Sequence, residues 1–185
     1  GGESFSHRPI SWKDYEEAVR LCHEAGAEIL FPTPRVVREK YQARAQAQLR
    51  KLLTLLPDGV VLEYAGAIEW VKGEESLAVW AGPSMNIFNR EAEKEIENLG
   101  FSGCFLSQEL TIPQIRYIAK GSDIPLGAYV YGRTEMMISE YCAINAVMGD
   151  KGKKHCPMYC MRGRFALKDG EGRRFPIHTD EWCHM

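Results

Sequence analysis

Four of the six cysteines, Cys142, Cys156, Cys160 and Cys183, fall in the last 44 residues, in a stretch with almost no apolar core of its own. From Gly149 onward the large apolar side chains are chiefly Met158, Tyr159, Phe165, Leu167, Phe175, Ile177 and Trp182, spread thinly among polar and basic residues. Burying so few side chains does not offset the conformational entropy lost in ordering the segment. Segments of this kind are held by disulfides or metals. The sequence shows no secretion signal, which sets the expectation of a reducing, cytoplasmic setting in which thiols ligate rather than cross-link.

The spacing is Cys142-x13-Cys156-x3-Cys160-x22-Cys183. Thiolates three residues apart can bind one metal or one cluster from a tight turn, and the outer two close the site. Zinc and an iron–sulfur cluster both fit this pattern. Structural zinc sites more often show two close-spaced pairs, and a single close pair favours a cubane 4Fe–4S cluster. The cations Lys154, His155, Arg162 and Arg164 are expected to lower the nearby thiol pKa values. Cys22 and Cys104 stand alone within apolar patterns and read as small core residues.

Upstream, helix and strand patterns alternate. Ser11 can cap a helix running to about Ala25, with Trp12, Tyr15, Val19 and Cys22 on one face. Thr33 and Pro34 can open a long second helix ending at Pro57. Asn89 can cap a helix over Arg90–Leu99, and Thr111 or Ile112 opens another. Five short strands are expected at Ala27–Phe31, Val60–Tyr64, Leu77–Ala81, Cys104–Leu106 and Leu126–Tyr131. Strands alternating with helices point to a parallel sheet wrapped by helices. Five strands are too few to close an eight-stranded barrel. The expected fold is thus α/β, a partial β/α barrel of the TIM type over residues 1–148 with a small four-cysteine segment over 149–185. Arg164–Lys168 and Arg173–Ile177 flank Asp169-Gly170-Glu171-Gly172, a plausible β-hairpin turn.

Charge is unevenly spread. Between Asp150 and Arg174 eight Lys/Arg face three acids, whereas the rest of the chain carries 15 basic and 22 acidic residues. A basic appendage on an acidic body suits an anionic substrate or partner. No apolar stretch is long enough to span a bilayer. Phosphate-binding glycine fingerprints are missing, so nucleotide-cofactor readings lack their main support.

The motif Tyr131-Gly132-Arg133-Thr134-Glu135-Met136-Met137-Ile138-Ser139-Glu140-Tyr141-Cys142 resembles peptidase family U-32, the collagenase-like peptidases. More closely, it resembles the long members that carry a domain of unknown function within the chain. Ser84-Met85-Asn86-Ile87-Phe88-Asn89, Leu106-Ser107-Gln108-Glu109-Leu110, Phe165–Asp169 and Phe175–Asp180 fit the same family pattern in order. Glu135 stands where the family usually has Pro. The first half of the family's barrel has no counterpart, so the chain is expected to be a C-terminal segment of a larger protein. Its partner would then be the missing barrel half, or a second copy. The resemblance implies a barrel-derived fold and a cluster on Cys142, Cys156, Cys160 and Cys183. It also implies one of two chemistries: proteolysis, as the family name says, or oxygen-independent hydroxylation of RNA bases or ubiquinone precursors.

The residues weigh between these. A protease needs an activated nucleophile or a metal-bound water, and neither a His-Glu-x-x-His nor a Gly-x-Ser-x-Gly motif occurs. The histidines avoid the strand ends where barrel active sites sit. The polar residues expected at those ends are Glu63, Asn86, Asn89, Ser107, Glu109, Arg133 and Glu140, with Glu63, Asn86, Glu109 and Arg133 the substrate-binding candidates. Arg133 could grip a carboxylate or phosphate bidentately. This set favours an iron–sulfur hydroxylase acting on RNA or another anionic substrate. A metal-dependent or collagenase-like protease and a non-catalytic, zinc-stapled RNA- or partner-binding module are the alternatives.

Overall fold

The computed structural model describes residues 10–132, 137–149, 156–180 and 182–185. The chain forms two compact units, one over residues 12–132 and one that contains residues 133–185. The second unit begins earlier than the 149 read from composition, so Cys142 shares a unit with the other three clustered cysteines.

The first unit is a five-stranded sheet in the order β1-β2-β3-β4-β5, with every neighbouring pair parallel. The strands are β1 (Leu30–Pro32), β2 (Gly59–Leu62), β3 (Ala78–Ala81), β4 (Gly103–Phe105) and β5 (Leu126–Gly127). A parallel sheet whose spatial order follows the sequence order is consistent with the arc of a β/α barrel. Each strand is shorter than or offset from its expected range. The largest difference is at β5, which stops at Gly127 and leaves Val130 and Tyr131 95% and 97% exposed. Val60, Leu62, Ala81 and Cys104 are fully buried, because a parallel sheet covered by connecting helices hides its central strands. Gly59 is obligatory at the start of β2: a Cβ there would run into the Ala78 carbonyl of the paired strand.

Helix α1 (Trp12–Glu24) buries Tyr15 and Val19, one turn apart, and ends at Gly26 with φ +68°. The Tyr15 ring meets Phe31 of β1 edge-on at 5.3 Å. Helix α2 (Glu39–Leu53) buries Ala45, Leu49 and Leu52 along one face. It starts later than expected, with Arg38 at its N-cap rather than Thr33. Thr33 extends the sheet instead, its N–H donating to Val61 O at 2.8 Å. Helix α3 (Arg90–Asn98) is capped as expected, Asn89 Oδ1 accepting from Ala92 N at 2.8 Å. Helix α4 (Ile112–Ala119) opens with Pro113 in its first turn and with the Thr111 N–H donating to Gln114 Oε1 at 2.8 Å.

The second unit has helix α5 (Ala143–Met148), a short 3-10 turn at Tyr159–Arg162 and an antiparallel hairpin of β6 (Phe165–Lys168) and β7 (Arg174–Ile177). Asp169 organises the hairpin turn. Its Oδ1 accepts from the N–H groups of Glu171 and Arg173 at 3.0 and 2.9 Å, and its Oδ2 pairs with Arg173 Nε at 2.6 Å. Apolar burial is slight here: Ile144 and Trp182 are buried, while Met158, Leu167 and Phe175 are exposed. Among the described residues no helix is long and apolar enough to cross a membrane.

Candidate functional site

Two constellations carry chemistry, one in each unit. In the first unit the C-terminal ends of β1, β2 and β3 assemble around Glu63. Thr33, 3% exposed just past β1, accepts from the Glu63 N–H through its Oγ1 at 3.0 Å. The Glu63 carboxylate in turn accepts at Oε2 from Ser84 N at 3.2 Å and from Ser84 Oγ at 2.5 Å. The Ser84 hydroxyl also lies against the Glu63 carbonyl oxygen. Gly82 makes room, since a Cβ there would come within 2.5 Å of Glu63 Oε2. The result is an anionic acceptor fixed by its neighbours at the strand ends, where open and closed parallel sheets place their ligands.

The other candidates of the expected mouth behave differently. Asn86 is exposed, with φ +51° as it closes the short turn Pro83–Met85. Asn89 is the cap of α3. Ser107 is 5% exposed, bonded through its N–H to Ile87 O at 3.0 Å and through Oγ to the Glu109 N–H at 3.4 Å. These bonds are those of a structural turn. Glu109 itself is exposed. Arg133 lies outside the described residues. Glu140 belongs to the second unit, with its Oε1 3.9 Å from His184 Nε2. Within the strand-end set, then, the structure ties Glu63 to Ser84 and Thr33, two partners that spacing alone did not single out.

The second constellation is the cysteine set. Cys142 sits at the start of α5 with its Sγ accepting from Asn145 N at 3.3 Å. The Cys156 Sγ accepts from Met158 N at 3.4 Å. Cys160 lies in the turn Tyr159–Arg162, where the Arg162 guanidinium stands 5.6 Å above the Tyr159 ring. Cys183 has φ +64°, a left-handed conformation that side chains other than glycine rarely adopt. Burial pushes the Cys183 thiol pKa up, as do the charges of Cys156, Asp180, Cys160 and Cys142. This corrects the expectation that basic neighbours lower the thiols: at Cys183 burial and like charge win. Among the described residues no three His, Cys, Asp or Glu side chains are grouped closely enough to hold one metal ion. The donor set itself, four thiols in one unit with two of them accepting backbone N–H bonds, has the chemistry of a four-thiolate site.

Cys104, by contrast, is fully buried in β4, and burial with the nearby Glu93 carboxylate raises its thiol to about 11. It is a core residue, as its apolar surroundings suggested.

One pairing went unnoticed in the sequence. His184 Nδ1 lies 2.8 Å from Asp180 Oδ2, with the two side chains only 6% and 3% exposed. His184 Nε2 stands 3.9 Å from Glu140 Oε1. Its trace in the sequence is the Asp-x3-His spacing around Cys183.

Comparison with known proteins places this geometry in a lineage. Residues 18% identical to those of a solved structure titled "The Structure of the U32 Peptidase Mk0906" superpose with a TM-score of 0.56, over 69% of this chain and 56% of that one. That likeness shows the fold. The chain is 25% identical over 178 residues to the 23S rRNA 5-hydroxycytidine C2501 synthase of Escherichia coli (strain K12). The match takes in 94% of this chain but 27% of the relative, so the chain spans about a quarter of that protein's length. The profile of "Peptidase family U32" matches residues 1–182, and with nearly the whole chain inside that match, the chain belongs to peptidase family U32.

Proposed function

We propose that this chain is the cluster-bearing part of a U32 enzyme that hydroxylates a base in RNA, with an iron–sulfur cluster on Cys142, Cys156, Cys160 and Cys183. The observation that carries the reading is that all four clustered cysteines lie in one unit, where Ser139 and Met185, close to the first and the last of them, exchange backbone hydrogen bonds. Cys156 and Cys160 form a single close pair, whereas structural zinc sites more often show two such pairs, which favours a cubane. Such a cluster, when bound, supplies one-electron redox chemistry. The Asn145 and Met158 N–H groups would hold the ligating sulfurs and stabilise their charge.

RNA as the substrate is supported by the rRNA-modifying relative. It is also supported by chemistry on this chain. Tyr129 and Tyr131, 51% and 97% exposed, follow β5 on the side of the sheet where Glu63 is fixed, and exposed aromatic rings stack unpaired bases. The basic stretch between Asp150 and Arg174 suits a phosphate backbone. Glu63, held by Ser84, would accept a hydrogen bond from the substrate. The relative's name is that of a synthase, which weighs against the hydrolase expected from the family label.

Anaerobic purification with iron, sulfide and zinc analysis tests the reading. Brown protein carrying iron and sulfide in equal amounts is the expected result. Colourless protein with one zinc per chain would move the assignment to a zinc-stapled binding module.

A further inference from the structure

The loop that carries Cys183 is built around one carboxylate. Asp180 Oδ1 accepts from the N–H groups of Trp182 and His184 at 2.9 and 2.8 Å, and Oδ2 takes the His184 ring at 2.8 Å. Because this carboxylate already accepts two N–H bonds, His184 Nδ1 is the donor, which turns Nε2 toward Glu140. Two backbone bonds close the same loop: Cys183 N to Asp180 O and Asp180 N to His184 O, each 3.3 Å. Inside it Cys183 holds its left-handed φ of +64°, a conformation that persists where the surroundings over-determine it. Nothing in the side chain of a cysteine favours that conformation. Asp180 and His184 are therefore not a solvent-facing ion pair but the frame that sets the direction of one thiol.

We propose that Asp180, clasped to His184, is the positioning residue for the fourth ligand, Cys183, and decides whether the cluster is held by four thiolates or three. This rests on the cluster reading above. A helix start and a tight turn supply Cys142, Cys156 and Cys160, whereas Cys183 reaches the others only if the 180–184 loop keeps its shape. Loss of the Asp180 acceptor frees two N–H groups and the imidazole, and φ at Cys183 relaxes to an ordinary value.

The test uses the full chain, reconstituted anaerobically with ferric iron, sulfide and a thiol reductant, and reads iron content and low-temperature EPR before and after one equivalent of ferricyanide. The wild type should load a four-iron cluster that is EPR-silent until reduced. Asp180→Ala should lose about a quarter of its iron and, once oxidised by one electron by the ferricyanide, show the signal of a three-iron cluster, matching Cys183→Ser. Asp180→Asn keeps an oxygen acceptor for both N–H groups and should restore four-iron loading, which a general loss of packing would not allow. If Asp180→Ala does not fold by circular dichroism, His184→Ala decides in its place, and a three-iron signal supports the clasp. Full four-iron loading in whichever of the two alanine variants folds overturns it. A wild type that takes up no cluster overturns the cluster reading and the clasp with it, so the two failures are told apart by the wild-type sample.

Discussion

Ser139 and Met185 exchange both of their backbone hydrogen bonds, Ser139 N to Met185 O at 2.7 Å and Met185 N to Ser139 O at 2.9 Å. Such reciprocal pairing is that of an antiparallel ladder. It fixes the residues just before Cys142 beside those just after Cys183, the first and last of the four clustered cysteines. The two ends of the set are thus joined by backbone, while the Cys156 and Cys160 turn lies between them in sequence.

Single Cys→Ser changes at Cys142, Cys156, Cys160 and Cys183 should each sharply reduce bound iron. Cys22→Ser and Cys104→Ser should leave it unchanged, since Cys104 is fully buried with a thiol at about 11. Iron per chain after anaerobic reconstitution is the measurement. Loss of iron in Cys104→Ser would show the ligand assignment to be wrong.

Glu63 depends on the space left by Gly82. On the hydroxylase reading, Gly82→Ala in the whole enzyme should push the carboxylate off Ser84 and abolish formation of the modified base, read by mass spectrometry of the RNA, and should lower the melting temperature at least as much as Ser84→Ala. Ser84→Ala removes one hydroxyl donor at a half-buried site and should cost about 1 kcal/mol of stability. A Gly82→Ala protein with full activity would remove Glu63 from the reaction.

These two sites were not equally legible in the sequence. The parallel sheet followed from alternation, and the capping of α3 by Asn89 and the hairpin around Asp169 followed from local turn chemistry, because those bonds join near neighbours. Thr33 was misread for the opposite reason. Thr33-Pro34 is a good helix opening by local rules, but the Thr33 hydroxyl is taken by the Glu63 N–H, thirty residues away. Likewise the Ser84–Glu63 bond joins two strand ends and leaves no periodic trace. The four cysteines could be picked out by spacing, yet the direction of the Cys183 shift could not, since it depends on the surroundings that the folded loop gives the thiol.

Asp58 gives the first unit a defined acid sensitivity. Its carboxylate accepts from the Ile29 N–H at 2.8 Å and lies 3.1 Å from His23 Nε2, and these contacts hold its pKa below the ordinary value. A depressed folded-state pKa contributes stability that is fully present above the unfolded value of about 3.9 and is lost as pH falls through the folded one. Asp58→Asn should therefore flatten the decline in melting temperature below about pH 4 and lower the melting temperature at neutral pH. An unchanged acid limb in the variant would show that the contact is not formed in solution.

β1 and β5 are the edges of the parallel sheet, and the residues that follow β5 expose Val130 and Tyr131 almost completely. Unpaired strand edges beside apolar surface recruit another strand. The isolated chain should self-associate with rising concentration, by light scattering, unless the rest of a family barrel is supplied to cover those edges. A clean monomer across the accessible range would contradict this.

The last expectation concerns what the cluster does for the fold. In the second unit Ile144 and Trp182 are buried, but Met158, Leu167 and Phe175 are exposed, so apolar burial contributes little. The hairpin is held at its turn by Asp169, a local device that does not reach the cysteines. Ligation of the proposed cluster would, by contrast, tie together Cys142, Cys156, Cys160 and Cys183 and contribute folding free energy on the order of 10 kcal/mol, as metal binding does in small stapled domains. Amide exchange on matched loaded and cluster-free samples should therefore show protection of residues 156–185 only with the cluster bound, whereas β1–β4 and α1–α3 exchange alike in both. Equal protection of the tail in both samples would mean that the Asp180 clasp and the Ser139–Met185 ladder hold it unaided, and the cysteines would no longer be needed as its staple.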